Sequence, residues 1–176
     1  YSLRCFNFLE IGNKKLFLCI DDFHIKSIIS KLDRTQYQTF GFSSGADLQI
    51  QNPVISETQS SFSLVYKGKK LGMFTTSLFG EKNISNAAGV VLTLLDLGFD
   101  VKKIKNAIKD FASVKRRFEF VYKKNETYLF DDYAHHPAEI AATIAAAKAR
   151  FKDRRIVTIF QPHTYSRTLS LKKEFA

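Results

Sequence analysis

Cysteine, tryptophan and methionine are scarce in this sequence of 176 residues, which contains two, none and one of them. Cys5 and Cys19 are too few for a disulfide framework and lack the close paired spacing of zinc sites. We therefore expect reduced thiols, as is typical of a cytoplasmic protein. Signal-peptide features are absent, and the longest apolar run, residues 87–99, is too short for a membrane span and is interrupted by Thr93 and Asp96.

Low-complexity tracts, internal repeats and long linkers are also absent, and a hydrophobic content of 45% is typical of a folded protein. Acidic residues are the scarcer charged class, which gives a formal net charge of +10. Such a charge favours anionic partners, either nucleic acid or phosphorylated small molecules, and charge alone does not separate the two. A lysine-rich surface that only aids solubility remains the simpler alternative.

Hydrophobic periodicity predicts an α/β fold. A buried strand at 15–20, a helix at 21–32 and a second strand at 38–42 form a β-α-β unit, and hence part of a parallel sheet. Three segments of alternating hydrophobicity follow between residues 46 and 77, and a Gly-Lys turn signal separates the last two. We interpret them as a small antiparallel sheet attached to the parallel one.

Two helices and a second α/β pattern make up the rest of the chain. Apolar residues from Ile84 to Leu95 have helical spacing, Gly98 ends that helix, and Asp100 can cap the next one. The pattern that follows is strand, strand, helix, strand and the start of a helix, with the last three expected at 137–151, at 155–160 and after the segment QPHTYSRT. We place a domain boundary near 113–116 and predict domains at 1–114 and 115–176.

The segment DDYAHHPAEIAATI, residues 131–144, marks the corner where a predicted strand meets a helix. A zinc site is disfavoured, because consecutive histidines tend to point apart and no HExxH or CxxC motif supports them. Pro137 and Glu139 suit the first turn of a helix, so a purely structural corner is one interpretation. It leaves the polar cluster at 131–135 unexplained, and the carboxyl ends of strands in α/β sheets are where ligands bind.

Three further motifs accompany this corner, namely LFGEKNISNAAG at 78–89, SVKRRFEF at 113–120 and FQPHTYSRT at 160–168. In order and separation the four motifs resemble those of the Mur ligase family. The matching features of that family are the asparagine motif of the central domain, the arginine motif of the domain junction and the start of the C-terminal domain. The resemblance covers the chain from about residue 79 onward, and the preceding part fits the sheet expected before it.

The resemblance implies both a fold and an activity. The fold is part of a mononucleotide-binding parallel sheet with a small antiparallel sheet, followed by a partial Rossmann-like C-terminal domain. The activity belongs to cytoplasmic peptidoglycan precursor synthesis, where ATP and Mg²⁺ serve to join L-alanine to the carboxylate of UDP-N-acetylmuramate. Phosphorylation converts that carboxylate to an acyl phosphate, the amine of L-alanine attacks it, and phosphate leaves.

Several residues match family positions with a role at the nucleotide. Asn83 corresponds to an asparagine near the base, where a carboxamide can both donate and accept, although asparagine also favours helix N-caps. Arg117 corresponds to a catalytic arginine directed at the ATP phosphates; without the resemblance, Arg116 and Arg117 would be an ordinary solvated basic pair. The carboxylate of Asp132 corresponds to the acceptor for the ribose hydroxyls, and Tyr133 would lie against the same pocket.

The remaining matches are at the corner and beyond the next strand. His135 and His136 belong to the nucleotide-gripping loop, where we expect them to shape the site and to be sensitive to pH rather than to form an established acid/base pair. His163 and Arg167 resemble residues that face the carboxylate-bearing substrates, with Arg167 neutralising the acyl phosphate or the amino-acid carboxylate. A loop arginine with no catalytic role is the alternative for Arg167.

The sequence departs from the family pattern at two positions. Lys82 occurs where many members have histidine, and Thr164 occurs where some have arginine, so neither role is transferred here. No G-x-x-G-K-[ST] phosphate loop is present, and we expect that loop and the magnesium ligands to precede these residues in a longer protein. We therefore expect the chain to be a fragment that does not catalyse ligation alone.

Two other functions were weighed. The recycling ligase of the same family, which attaches a whole tripeptide to UDP-N-acetylmuramate, has a similar His-His-Pro corner and would use the same nucleotide. A basic nucleic-acid-binding module would fit the charge, but it would need a concentrated basic stripe with exposed aromatics, whereas these lysines are scattered. We therefore expect neither a nucleic-acid nor a membrane partner.

Overall fold

The computed structural model describes residues 15–56, 58–112 and 114–175. The predictions for Cys5 and for position 113 of the domain boundary lie outside these residues. The described chain contains seven strands and five helices, with short 3-10 turns at 29–31 and 34–36. In chain order they are β1 (Leu16–Cys19), α1 (Phe23–Ile28), β2 (Tyr37–Gly41), β3 (Leu48–Ile55), β4 (Ser60–Tyr66), β5 (Lys69–Thr76), α2 (Glu81–Asp96), α3 (Val101–Asp110), β6 (Glu119–Lys124), β7 (Thr127–Asp131), α4 (Pro137–Arg150) and α5 (Tyr165–Ser170).

The first five strands form one sheet in the order β1-β2-β3-β4-β5. The pairs β1–β2 and β2–β3 are parallel, whereas β3–β4 and β4–β5 are antiparallel. The predicted β-α-β unit and the antiparallel segments are thus confirmed, and they share one continuous sheet because Phe40 of β2 pairs with Leu48 of β3. Asp100 caps α3 as the sequence indicates, by accepting backbone N–H groups at its start, and Asp22 caps α1 in the same way.

Helix α2 covers the sheet with its apolar face. Ala88, Val91 and Leu92 have no exposed surface, and they lie in one core with residues of β3, β4 and β5, including Phe62 and Phe74. Full burial of each large side chain contributes about 1.5–3 kcal/mol. This packing fixes the start of α2, and with it Asn83, relative to the strand ends.

The C-terminal part of the described chain consists of the antiparallel hairpin β6–β7 with α4 packed beside it. Aromatic rings fill this contact: Phe118 stacks on Phe130 with centroids 4.6 Å apart, and Phe130 lies 5.6 Å from Phe151. The ring of Phe79, which precedes α2, lies 6.1 Å from Phe118, so the two parts of the chain also contact each other.

The predicted strand at 155–160 does not form a ladder. Its side chains lack the cover that a central strand receives, since Val157 is 67% exposed and Ile159 is 91% exposed. A cavity of about 580 Å³ is lined both by this segment and by β7, so the two backbones do not pair. Apolar composition suited a buried strand, but the segment makes no ladder with β7 across this cavity and stays irregular.

Among the residues that the structure describes, no helix is both long enough and apolar enough to cross a bilayer. Cys19 is a free thiol at the end of β1.

Candidate functional site at the junction of helices α2 and α4

Asp132 ties together the two chain segments that enter the corner. Its Oδ2 accepts the backbone N–H of Phe118 at 2.8 Å, and its Oδ1 accepts the backbone N–H of Ala134 at 2.7 Å. The backbone N–H of Tyr133 donates to the carbonyl of Arg116 at 2.8 Å. The arginine motif and the acidic corner, which are separated in sequence, are therefore held side by side at the carboxyl end of β7.

Helix α4 begins with a capping box. His136 is the N-cap, and its Nδ1 accepts the backbone N–H of Ala138 at 3.3 Å, while Pro137 occupies the first helical position. The Oε2 of Glu139 accepts the backbone N–H groups of His135 at 3.1 Å and His136 at 3.4 Å. The structural interpretation of the corner therefore accounts for His136 and Glu139.

The carboxylate of Glu139 is held in its charged form. Burial raises the pKa of this group, but the N–H groups of His135 and His136, the His135 ring and the charge of Arg117 outweigh burial, and the pKa lies below its usual value. Glu139 therefore provides a negative charge near Arg117 at the N-terminus of α4.

His135 and Tyr133 lie on the outer side of the same loop. The Nδ1 of His135 is 3.0 Å from the Tyr133 carbonyl oxygen, and the two rings meet edge to face with centroids 5.3 Å apart. The guanidinium of Arg116 lies 4.9 Å from the centre of the Tyr133 ring, which is 50% exposed. This stack keeps an aromatic surface in contact with solvent beside the corner.

Asn83 lies in the first turn of α2. Its Nδ2 donates to the carbonyl oxygen of Phe79 at 2.8 Å, and its backbone N–H donates to the carbonyl of Gly80. The N-cap residue of α2 is Gly80, so the N-cap role considered for Asn83 is wrong. The amide retains its second N–H and its carbonyl oxygen for other contacts.

A cavity of about 800 Å³ brings three of the sequence-predicted residues together. It lies between the start of α2, the junction motif and the first turns of α4, and Asn83, Arg117 and Asp132 all line it. Lys82 and Glu139 line the same cavity. The volume falls within the range of about 300–1,000 Å³ that is usual for small-molecule sites.

Five other predicted residues do not line this cavity. Tyr133, His135 and His136 belong to the corner loop and make contacts within it instead. His163 is exposed in the segment before α5, and Arg167 lies on α5 with its Nη1 buried and without a hydrogen-bond partner. The structure thus brings together the three residues predicted to contact the base, the ribose and the phosphates of the nucleotide. It does not bring His163 and Arg167, which were predicted to face the carboxylate-bearing substrates, to the same cavity.

Sequence reasoning missed the contacts that join the two parts of the site. The Arg150 guanidinium lies 3.8 Å from the centre of the Phe79 ring, and a Cβ placed on Gly80 would lie 2.8 Å from the Cβ of Ala146. The glycine at the start of α2 and the run of alanines in α4 were the available signal, because both permit close backbone approach. Their pairing could not be read from either segment alone.

Within the described ranges, no group of three or more His, Cys, Asp or Glu side chains could hold a metal ion. The two adjacent histidines are engaged with backbone groups on opposite sides of the corner.

Comparison with known proteins supports the resemblance drawn from the motifs. Residues 116–176 match the family model for the Mur ligase glutamate ligase domain. The chain is 42% identical to the UDP-N-acetylmuramate–L-alanine ligase of Streptococcus gordonii over 93% of this chain and 36% of the relative, and 38% identical to that of Desulforapulum autotrophicum over 96% and 38%.

A solved structure agrees with these relatives. The crystal structure of UDP-N-acetylmuramate-alanine ligase from Thermotoga maritima superposes with a TM-score of 0.73 at 28% identity, covering 90% of this chain and 35% of that one. The chain therefore spans less than two fifths of the length of the proteins that it matches. Residues 116–176 therefore match the glutamate ligase domain of Mur ligases, and nearly the whole chain is similar to ligases of that family.

Proposed function

We propose that the cavity between α2 and α4 is part of the adenine-nucleotide-binding site of a ligase. That ligase joins L-alanine to the carboxylate of UDP-N-acetylmuramate in cytoplasmic peptidoglycan precursor synthesis. The observation that carries the proposal is the cavity of about 800 Å³ that Asn83, Arg117 and Asp132 line together. The names of relatives up to 42% identical supply the substrates. Because the chain spans only part of those relatives, the activity is assigned to a protein of their length.

The residues in the cavity fit an adenine nucleotide. The remaining N–H and carbonyl oxygen of the Asn83 amide can pair with the edge of the base, because one amide both donates and accepts. Each oxygen of Asp132 accepts one backbone N–H and keeps further acceptor capacity for ribose hydroxyls. Arg117 supplies a guanidinium on the wall of the same cavity, which suits phosphate oxygens.

ATP supplies the phosphoryl group that turns the unreactive carboxylate into an acylating agent. In this scheme Arg117 balances the negative charge of the phosphates, and the nearby Glu139 carboxylate holds the corner loop in place. Arg167 is assigned to an anionic substrate group, and its buried Nη1, which has no hydrogen-bond partner, supports that assignment. His163 is likewise assigned to the carboxylate-bearing substrates. We assign the phosphate loop and the Mg²⁺ ligands to residues outside this chain.

We further propose that residues 1–114 belong to the central nucleotide-binding domain and 115–176 to the C-terminal domain. The match of the glutamate ligase domain begins at residue 116, which supports this division. The site would then be shared between the domains, as the cavity between α2 and α4 suggests.

A chimeric enzyme tests the function directly. The matching 36% of the Streptococcus gordonii relative is replaced by this chain, and the purified chimera is assayed for ATP-dependent phosphate release with UDP-N-acetylmuramate and L-alanine. We expect turnover, and we expect the Arg117→Ala chimera to lose at least a hundredfold in kcat, as removal of one transition-state donor does. A folded chimera that binds ATP but forms no product would contradict the proposal.

The amine donor separates the two ligases of the family. L-alanine and a murein tripeptide are offered in parallel to the same chimera, and we expect product only with L-alanine. The opposite preference would transfer the assignment to the tripeptide-recycling ligase.

A further inference from the structure

The two adjacent histidines of the corner make different hydrogen bonds through the same ring atom. The Nδ1 of His135 lies 3.0 Å from the carbonyl oxygen of Tyr133, and a carbonyl oxygen can only accept. The Nδ1 of His136 lies 3.3 Å from the backbone N–H of Ala138, and a backbone N–H can only donate. Nδ1 therefore carries the proton in His135 and lacks it in His136.

These contacts fix opposite tautomers in two neighbouring neutral rings. A neutral imidazole has one N–H, so His135 keeps Nε2 as an acceptor, whereas His136 keeps Nε2–H as a donor. The amino-acid sequence contains no sign of this difference, because the residues are identical and consecutive. It arises only because one ring folds back to the strand and the other caps the helix.

We propose that Glu139 is a positioning residue of the nucleotide site, and that it acts through the loop of this histidine pair, in which the His136 ring caps helix α4 and the His135 ring bonds back to the Tyr133 carbonyl. The proposal rests on the proposed function, because the site that Glu139 positions is the nucleotide cavity.

Glu139 links the pair to the cavity. Its Oε2 accepts both histidine N–H groups and lies 3.6 Å from the Nδ1 of His135. Glu139 also lines the cavity in which Arg117 and Asp132 lie. One carboxylate therefore holds the loop that follows Asp132 and faces the site where the nucleotide would lie.

Nitrogen NMR on the ligand-free chain tests the histidine part. Long-range ¹H–¹⁵N spectra distinguish protonated from unprotonated ring nitrogens, and His135→Gln and His136→Gln variants assign the signals. We expect a protonated Nδ1 in His135 and a protonated Nε2 in His136 at neutral pH. The same tautomer in both rings would overturn the assignment.

ADP binding to the chimera described above tests the positioning role. We expect Glu139→Ala to weaken ADP binding about tenfold, which corresponds to about 1.4 kcal/mol, and Glu139→Gln to recover part of it because its carbonyl oxygen still accepts the N–H groups. Glu126→Ala is the matched control, since Glu126 pairs with Arg154 and does not line the nucleotide cavity. His136→Asn should retain the cap and the affinity, whereas His136→Ala should not.

The outcomes distinguish this proposal from the proposed function. Unchanged ADP affinity in Glu139→Ala would overturn the positioning role while leaving the nucleotide site standing. An unsubstituted chimera that folds but does not bind ADP would count against the nucleotide site itself, and with it against the role of Glu139. The tautomer result stands or falls independently, because it is measured without nucleotide.

Discussion

Replacing Gly80 by alanine tests the contact that joins the two parts of the site. Gly80 has φ 91° and ψ 154°, a conformation that is essentially restricted to glycine. A Cβ there would also lie 2.8 Å from the Cβ of the buried residue Ala146 on α4. The substitution therefore combines backbone strain with steric overlap.

The size of the effect follows from these two terms. Backbone strain of this kind costs about 1–3 kcal/mol, and overpacking of a fitted contact costs about 1–3 kcal/mol more. We expect a loss of roughly 2–6 kcal/mol in the free energy of unfolding, a large fraction of the stability of an ordinary domain. Because Gly80 also lines the nucleotide cavity, ADP binding should weaken in parallel.

Urea unfolding followed by circular dichroism measures the effect, with two variants as controls. Gly98→Ala has a positive φ of 81° but no atom within 4 Å of the new Cβ, so it should show backbone strain alone. Ala146→Gly costs about 1 kcal/mol by helix propensity, yet combined with Gly80→Ala it should restore part of the loss by removing the overlap. Equal costs for Gly80→Ala and Gly98→Ala, with no rescue by Ala146→Gly, would refute the reasoning.

Three further predictions concern stability. Ser60→Ala should raise the free energy of unfolding by about 1 kcal/mol, because the buried hydroxyl has no hydrogen-bond partner. Urea unfolding measures this change, with Ser61→Ala as the control. A lower stability of Ser60→Ala would contradict the prediction. Asp132→Asn should lower the free energy of unfolding by about 1–3 kcal/mol in the same assay, because an amide has only one oxygen to accept the two backbone N–H groups that the carboxylate accepts. An unchanged stability would contradict the role of these two hydrogen bonds. At Asp47 burial raises the pKa, but hydrogen bonds from Thr39 and the charge of Arg34 outweigh it, so the pKa is lowered. The Asp47 carboxylate therefore stabilises the fold above the pKa of the unfolded state, near 3.9, and this stabilisation is lost as pH falls through the lower pKa of the folded state. In acid-unfolding curves, the difference in stability between the unsubstituted chain and Asp47→Asn should shrink over that pH range. A difference that stays constant would refute the prediction.

Local patterns sufficed for most of the fold. Alternation and helical spacing predicted β1 to β5, α2 and α4, and Asp100 and Pro137 began their helices where the sequence indicated. These signals succeed because they depend on neighbours within one or two turns of the chain. The strand predicted at 155–160 does not form. Its apolar composition indicates only that the side chains favour burial, whereas a strand also needs backbone hydrogen bonds to a neighbouring strand.

The candidate site was predictable in part. The motifs identified Asn83, Arg117 and Asp132, and the structure places all three on one cavity, although their roles at a nucleotide remain predictions. Glu139 was assigned only to a helix start, because its first-turn position explains it without reference to Arg117 or the cavity. A residue that serves both a cap and a site gives a sequence signal for the cap alone.

By itself, the sequence determined most of the elements, the cap at Asp100 and the resemblance to Mur ligases, since periodicity, turn chemistry and motif order are properties of the chain read in one dimension. Only the tertiary structure decided that Gly80 fits against Ala146, that Arg150 covers Phe79, and that of two identical histidines one ring contacts a carbonyl oxygen and the other a backbone N–H. Each of these depends on which group lies across a contact, and residues distant in sequence meet only after the sheet and helices have packed.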